Sequence, residues 1–146
     1  MSKLSSAKAE KLWEEILRAH CSMTAAIEKD LLPQTGLQLG WYQVLAHLNQ
    51  APGSMLRFQD LARVAGISDS GASRRLNQMI KAGLIDRHLC ESDRRGVYAH
   101  LTDKGKTAYT RAHAVVLKSL DRNLGSQLEP GEADVVHAAL SRLSSN

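Results

Sequence analysis

Apolar residues recur at helical spacing along most of the chain. From about Ala7 to Leu31, Leu12, Ile16, His20, Met23 and Ile27 form one stripe, with Trp13, Leu17 and Thr24 beside it. Pro33 and Gly36 are expected to break that helix. A second helix, Leu37 to Asn49, carries Leu37, Trp41, Val44, Leu45 and Leu48 on one face, and Ala51-Pro52-Gly53 reads as a turn. Leu56 to Phe58 suits a short strand, and Leu61, Ala62 and Ala65 give a third helix an inward face. Gly66 supplies a tight turn. Ser68 can then cap a fourth helix with Ala72, Leu76, Met79, Ile80 and Gly83 on its apolar side.

Beyond Gly83 the period changes. Leu84-Ile85 opens an extended run, the polar tip CESDRRG follows, and Val97 to Leu101 is a second extended run. Thr102 can cap a long fifth helix to about Leu124, with Ala108, Ala112, Val115 and Val116 along one side. Pro130 suits the first turn of a last helix bearing Val135, Val136, Ala139, Leu140 and Leu143. The predicted fold is mainly α with a small two-stranded β-wing, a winged helix-turn-helix. One helix and the hairpin after it carry the chemistry, because Ser70, Ser73, Arg74 and Asn77 gather on the polar side of the fourth helix.

Charge sharpens this picture. The net formal charge is +4. Between Arg57 and Lys106 there are ten Lys/Arg and six Asp/Glu, and the rest of the chain has nine of each. The whole excess therefore sits in the segment with the polar-faced helix and the wing, as an anionic partner would require. At the start of that helix, free N–H groups together with the Ser68 and Ser70 hydroxyls suit phosphate. Ser73, Arg74 and Asn77 lie deeper; arginine can span guanine O6 and N7, and asparagine can do the same for adenine. Arg75 is at the edge of the core face, where it either reaches a phosphate or lays its stem over the core. Asp69, in the first turn, reads as a capping residue. Lys104 and Lys106 are candidates for backbone contacts.

The order Asp93-Arg94-Arg95-Gly96 and then LTDKG, after a helix ending KAGLI, resembles the MarR family of bacterial transcription regulators. WYQVLAHL, FQDLARVAGIS and LEPGEADVV match as well, so the resemblance covers nearly the whole chain. It implies one MarR-like domain over 1–146, with dimerisation helices at 7–31 and 103–143 and a DNA-binding lobe at about 37–102. It also implies a dimeric architecture and a homodimer on a pseudo-palindromic operator of double-stranded DNA. One of Arg94 and Arg95 would enter the minor groove, while the other is held by Asp93 or meets a phosphate. An arginine commonly replaced by an apolar residue in the family makes Arg75 a departure. A small aromatic or acidic effector is expected to release the DNA, with Trp13, His20, Trp41, Tyr42 and Arg87 as pocket candidates. The expected function is a sequence-specific regulator, a repressor by the commoner family mode.

Other classes are weighed against this one. There is no Gly-rich phosphate loop, no Gly-x-Ser-x-Gly, no HExxH and no CxxC, so no enzyme is expected. The six histidines form no cluster at zinc-binding spacing, and neither a metal nor a cofactor is expected. Cys21 and Cys90 fit a reducing cytoplasm better than a disulfide framework, and either could serve a redox-responsive regulator. A winged helix used to bind protein is the remaining alternative, one that should lack clustered positive charge. No apolar run is long enough to cross a bilayer, and the N-terminus lacks a signal-type stretch, which together predict a cytoplasmic protein.

Overall fold

The computed structural model describes residues 3–89 and 96–145. Its helices are α1 (Ser6–Thr35), α2 (Leu39–Gln50), α3 (Phe58–Val64), α4 (Asp69–Lys81), α5 (Asp103–Asn123) and α6 (Pro130–Ser144). Its strands are β1 (Met55–Arg57), β2 (Ile85–Leu89) and β3 (Val97–Leu101). Two compact units are distinguished, one of residues 31–115 and the other of residues 1–30 with 116–146. The first unit is wider than the lobe expected at 37–102, since it includes the end of α1 and the first half of α5.

In the unit 31–115 the three strands form one antiparallel sheet in the order β1-β3-β2. The wing is therefore three-stranded: Leu56 pairs with Ala99, so the short strand before α3 joins the hairpin rather than standing apart. Across the hairpin, Ile85 pairs with Leu101 and Asp86 with His100. Alternation then sends Ile85, Ala99 and Leu101 into the core. They meet Val44, Leu45 and Leu48 of α2, Leu61 of α3, and Leu76 and Met79 of α4, all buried. A fully buried side chain of this kind contributes about 1.5–3 kcal/mol.

The unit 1–30 with 116–146 is built differently. Every buried apolar residue among those described belongs to the other unit except Val116. Leu12, Trp13 and Leu17 of α1 and Val135, Leu140 and Leu143 of α6 are exposed. Asp30 and Arg122 form an ion pair between α1 and α5. At the start of α6 the Glu129 N–H donates to the Glu132 carboxylate (3.0 Å) in a capping box, with Pro130 at the first turn as expected.

One expectation is corrected. Pro33 does not break α1, which runs on to Thr35 and stops at Gly36, whose φ is +73°. So close to the end, the missing proline N–H removes only one internal hydrogen bond. Lys104 is exposed, and its Nζ donates to the Ala82 carbonyl (2.7 Å), satisfying the last turn of α4.

The segment LTDKG has a packing explanation. Gly105 is buried, and a Cβ there would lie 2.1 Å from the Leu84 carbonyl oxygen and 2.7 Å from Leu101 Cδ1. We expect Gly105→Ala to destabilise the protein by about 3 kcal/mol, read as a lower urea midpoint without a change of slope.

Candidate nucleic-acid interface

α4 is held at both ends by the same device. α3 stops at Gly66 (φ +64°), where the Ile67 N–H donates to the Ala62 carbonyl (3.0 Å) and the Gly66 N–H to the Arg63 carbonyl (3.2 Å). α4 stops at Gly83 (φ +76°), with the Leu84 N–H on the Met79 carbonyl (3.1 Å) and the Gly83 N–H on the Ile80 carbonyl (2.9 Å). Both are paired 6→1 and 5→2 closures that need a left-handed residue, which glycine adopts without strain. At the N-terminus of α4, Ser68 is the cap, and its Oγ accepts from the Gly71 N–H (3.3 Å). Its hydroxyl proton stays available to an incoming anion. Asp69, expected as a cap, is instead the first helical residue.

The polar face of α4 is open. Ser70, Ser73, Arg74 and Asn77 are all exposed, while Ala72, Leu76 and Met79 of the same helix are buried. Asn77 is preset: its Oδ1 accepts from Arg87 Nη2 (2.8 Å), leaving the amide nitrogen to point at an acceptor. The Arg87 guanidinium also lies over the Phe58 ring, 5.4 Å from its centre. Ser73, Asn77, Phe58, Gln59, Arg87 and Val97 line a cleft of about 280 Å³ between α3, α4 and the wing. Arg87 thus bridges Asn77 of α4 and Phe58 of α3. That arrangement was not readable from sequence, because it depends on β2 passing beside α4.

Arg75 lies at the edge of the core face, as expected. It is half-buried, and a Cβ on Gly40 would lie 2.8 Å from its Cζ, so the guanidinium rests against the first turn of α2. Its side chain therefore takes the packing position, one of the two expected for it. The physical reason is the 100° step from Arg74, which turns the next side chain toward the core. Asp93, Arg94, Arg95 and Cys90 lie outside the described residues.

The effector candidates divide by unit. Trp13 and His20 are exposed on α1, and Cys21 beside them is an exposed free thiol. Trp41 and Tyr42 are half-buried on α2. Tyr42 belongs to a ring stack that sequence reading missed: Tyr109 lies 5.8 Å away and His113 6.3 Å away, centre to centre, both near parallel. The Tyr42 hydroxyl and His113 Nδ1 share a hydrogen bond of 2.9 Å, whose direction the imidazole tautomer sets. The spacing of Tyr109 and His113, four apart on one helix face, was the available signal.

The similarity to known proteins follows this geometry. A profile of the MarR family matches residues 35–96. AbsC, a MarR family transcriptional regulator from Streptomyces coelicolor, is 30% identical and superposes with a TM-score of 0.87, covering 99% of this chain and 97% of its own. The chain belongs to the MarR family. Two further MarR-like folds bear on it through structure alone. Sco3205, a MarR family regulator from Streptomyces coelicolor solved in complex with DNA, is 23% identical (TM-score 0.86, covering 99% and 90%). CouR from Rhodococcus jostii RHA1, solved with p-coumaroyl-CoA, is 24% identical (TM-score 0.79, covering 95% of each chain). No helix of this MarR-family chain, among the described residues, is long and apolar enough to cross a membrane.

The ring stack has a pH signature. Burial, and then the neighbouring Tyr109 phenol, push the Tyr42 pKa above its ordinary 10.0. A raised acid pKa means the folded state holds the proton more tightly, so its stabilising contribution is complete below pH 10 and declines as pH rises through the folded value. Absorbance titration should show one late phenol that Tyr42→Phe removes. Alkaline loss of stability should shrink in that variant.

Proposed function

We propose that this chain is a cytoplasmic, homodimeric, sequence-specific DNA-binding regulator, a repressor released by a small aromatic or acidic effector, and not an enzyme. The observation that carries this reading is the exposed face of α4, where Ser70, Ser73, Arg74 and Asn77 are open to solvent on a helix fixed at both ends. Helices of two protomers would enter successive major grooves about one turn apart, on a pseudo-palindrome. Arg74 and Asn77 would read base edges, and Ser68 and Ser70 would meet phosphate. The wing arginines Arg94 and Arg95, with Asp93 holding one of them, would reach the minor groove, where narrow A·T segments attract cations.

The dimer is supported by the unit 1–30 with 116–146, whose apolar surface on α1 and α6 has no core to enter within one chain. A partner's equivalent helices would cover it. The effector role is supported by chemistry: Tyr42, Tyr109 and His113 present flat rings together with a phenol–imidazole pair, suited to an aromatic acid. Trp41 is the other candidate within the unit 31–115, and Trp13 and His20 are separate effector candidates on α1. The DNA complex of Sco3205 and the acyl-CoA complex of CouR are in keeping with both partners.

Fluorescence anisotropy against a duplex enriched from a random pool, repeated across a salt series, tests this. Affinity should fall steeply with salt, because neutralised phosphates release counterions. Arg74→Ala should cost about 1–3 kcal/mol and relax base preference at one position. Arg94→Ala with Arg95→Ala should weaken binding and leave the dimer intact. A folded dimer that enriches no site, with or without removal of bound small molecules, would sink the reading.

A second measurement tests assembly. Leu140→Glu should shift the protein toward monomer in light scattering and make its unfolding midpoint lower and more dependent on concentration.

A further inference from the structure

The outer face of the wing sheet holds a cluster that the DNA-binding reading does not use. Asp86 and His88 are two apart on β2 and so share one face, and His100 on β3 lies directly opposite Asp86. One donor atom from each of the three lies within 4.8 Å of the other two. The His88 and His100 rings are 5.0 Å apart, centre to centre, and tilted at 59°. His100 Nδ1 is buried and makes no hydrogen bond; the Asp86 carboxylate is 3.8 Å from it, beyond hydrogen-bond reach. A buried ring nitrogen left unpaired costs free energy that a partner would recover.

We propose that Asp86, His88 and His100 form a binding site for a divalent transition-metal ion of the zinc class. Two imidazoles and one carboxylate are a donor set such ions favour over magnesium or calcium, which prefer all-oxygen surroundings. Tetrahedral zinc with bonds of about 2.1 Å needs donors roughly 3.4 Å apart, so small side-chain rotations close the present spacing. Asp86 and His88 are exposed and free to make them. The buried His100 Nδ1 gains the ligand it lacks, and water completes the fourth position. Because the donors come from both strands, the ion ties β2 to β3. Sequence alone hides this site, since His100 joins the others only through strand register.

Calorimetric titration of the chelator-treated full chain with zinc chloride, and separately with magnesium chloride, is the direct test. Zinc should bind at about one ion per chain and raise the unfolding midpoint, and magnesium should do neither. His88→Gln and His100→Gln should each weaken zinc on the order of a hundredfold, at least the loss seen when a supporting group of a metal site is removed. His88 is exposed, so its variant decides the matter even if His100→Gln folds poorly. Absence of zinc binding by the parent, or undiminished binding by His88→Gln, overturns the proposal. An effect of zinc on operator affinity would rest additionally on the DNA-binding reading. The calorimetric result stands without it.

Discussion

The hydroxyl of Thr102 ties together the elements on which the interface depends. It donates to the Gly83 carbonyl (2.7 Å), with the Leu84 carbonyl at 3.0 Å, and accepts from the Gly105 N–H (3.0 Å). The Thr102 N–H reaches the Leu84 carbonyl as well (3.2 Å). One residue thus joins the end of α4, the entry to β2, the end of β3 and the first turn of α5. These groups are part-buried, where an unmade hydrogen bond is costly, so the geometry is held firmly. The direction in which α4 presents Arg74 and Asn77 follows from it. Gly105 is the steric half of the same junction, because no side chain fits between α5 and the Leu84 carbonyl.

Rigidity and incompleteness are divided between the two compact units. Residues 31–115 have a core of Leu, Val, Ala and Met drawn from helices and sheet alike. Residues 1–30 and 116–146 have almost none, and their leucines and valines lie open on α1 and α6. In the homodimer proposed above, folding and association would be linked, and stability would belong to the assembly more than to the protomer.

Much of this was legible in the sequence. The 3.6-residue period placed every long helix, because each buries one face, and the glycine stops and serine cap bounding α4 follow from local backbone chemistry. Pro33 misled because a proline's effect depends on how much helix remains beyond it. What stayed hidden depends on contacts between distant segments. The Arg87 hydrogen bond to Asn77, the pairing of Leu56 with Ala99 and the Tyr42–Tyr109–His113 stack require strand register or helix packing that no local pattern encodes. The Lys104 hydrogen bond was hidden too, since nothing nearby in sequence marks the Ala82 carbonyl as its acceptor.

The contact between Gly40 and Arg75 shows how a missing methyl group can place a charge. The Arg75 guanidinium rests where a Cβ on residue 40 would stand. Because an arginine stem is flexible, alanine at position 40 would not unfold the helix pair but would push the cation off α2. The electrostatic surface of α4 is therefore set in part on another helix, by a residue that carries no charge.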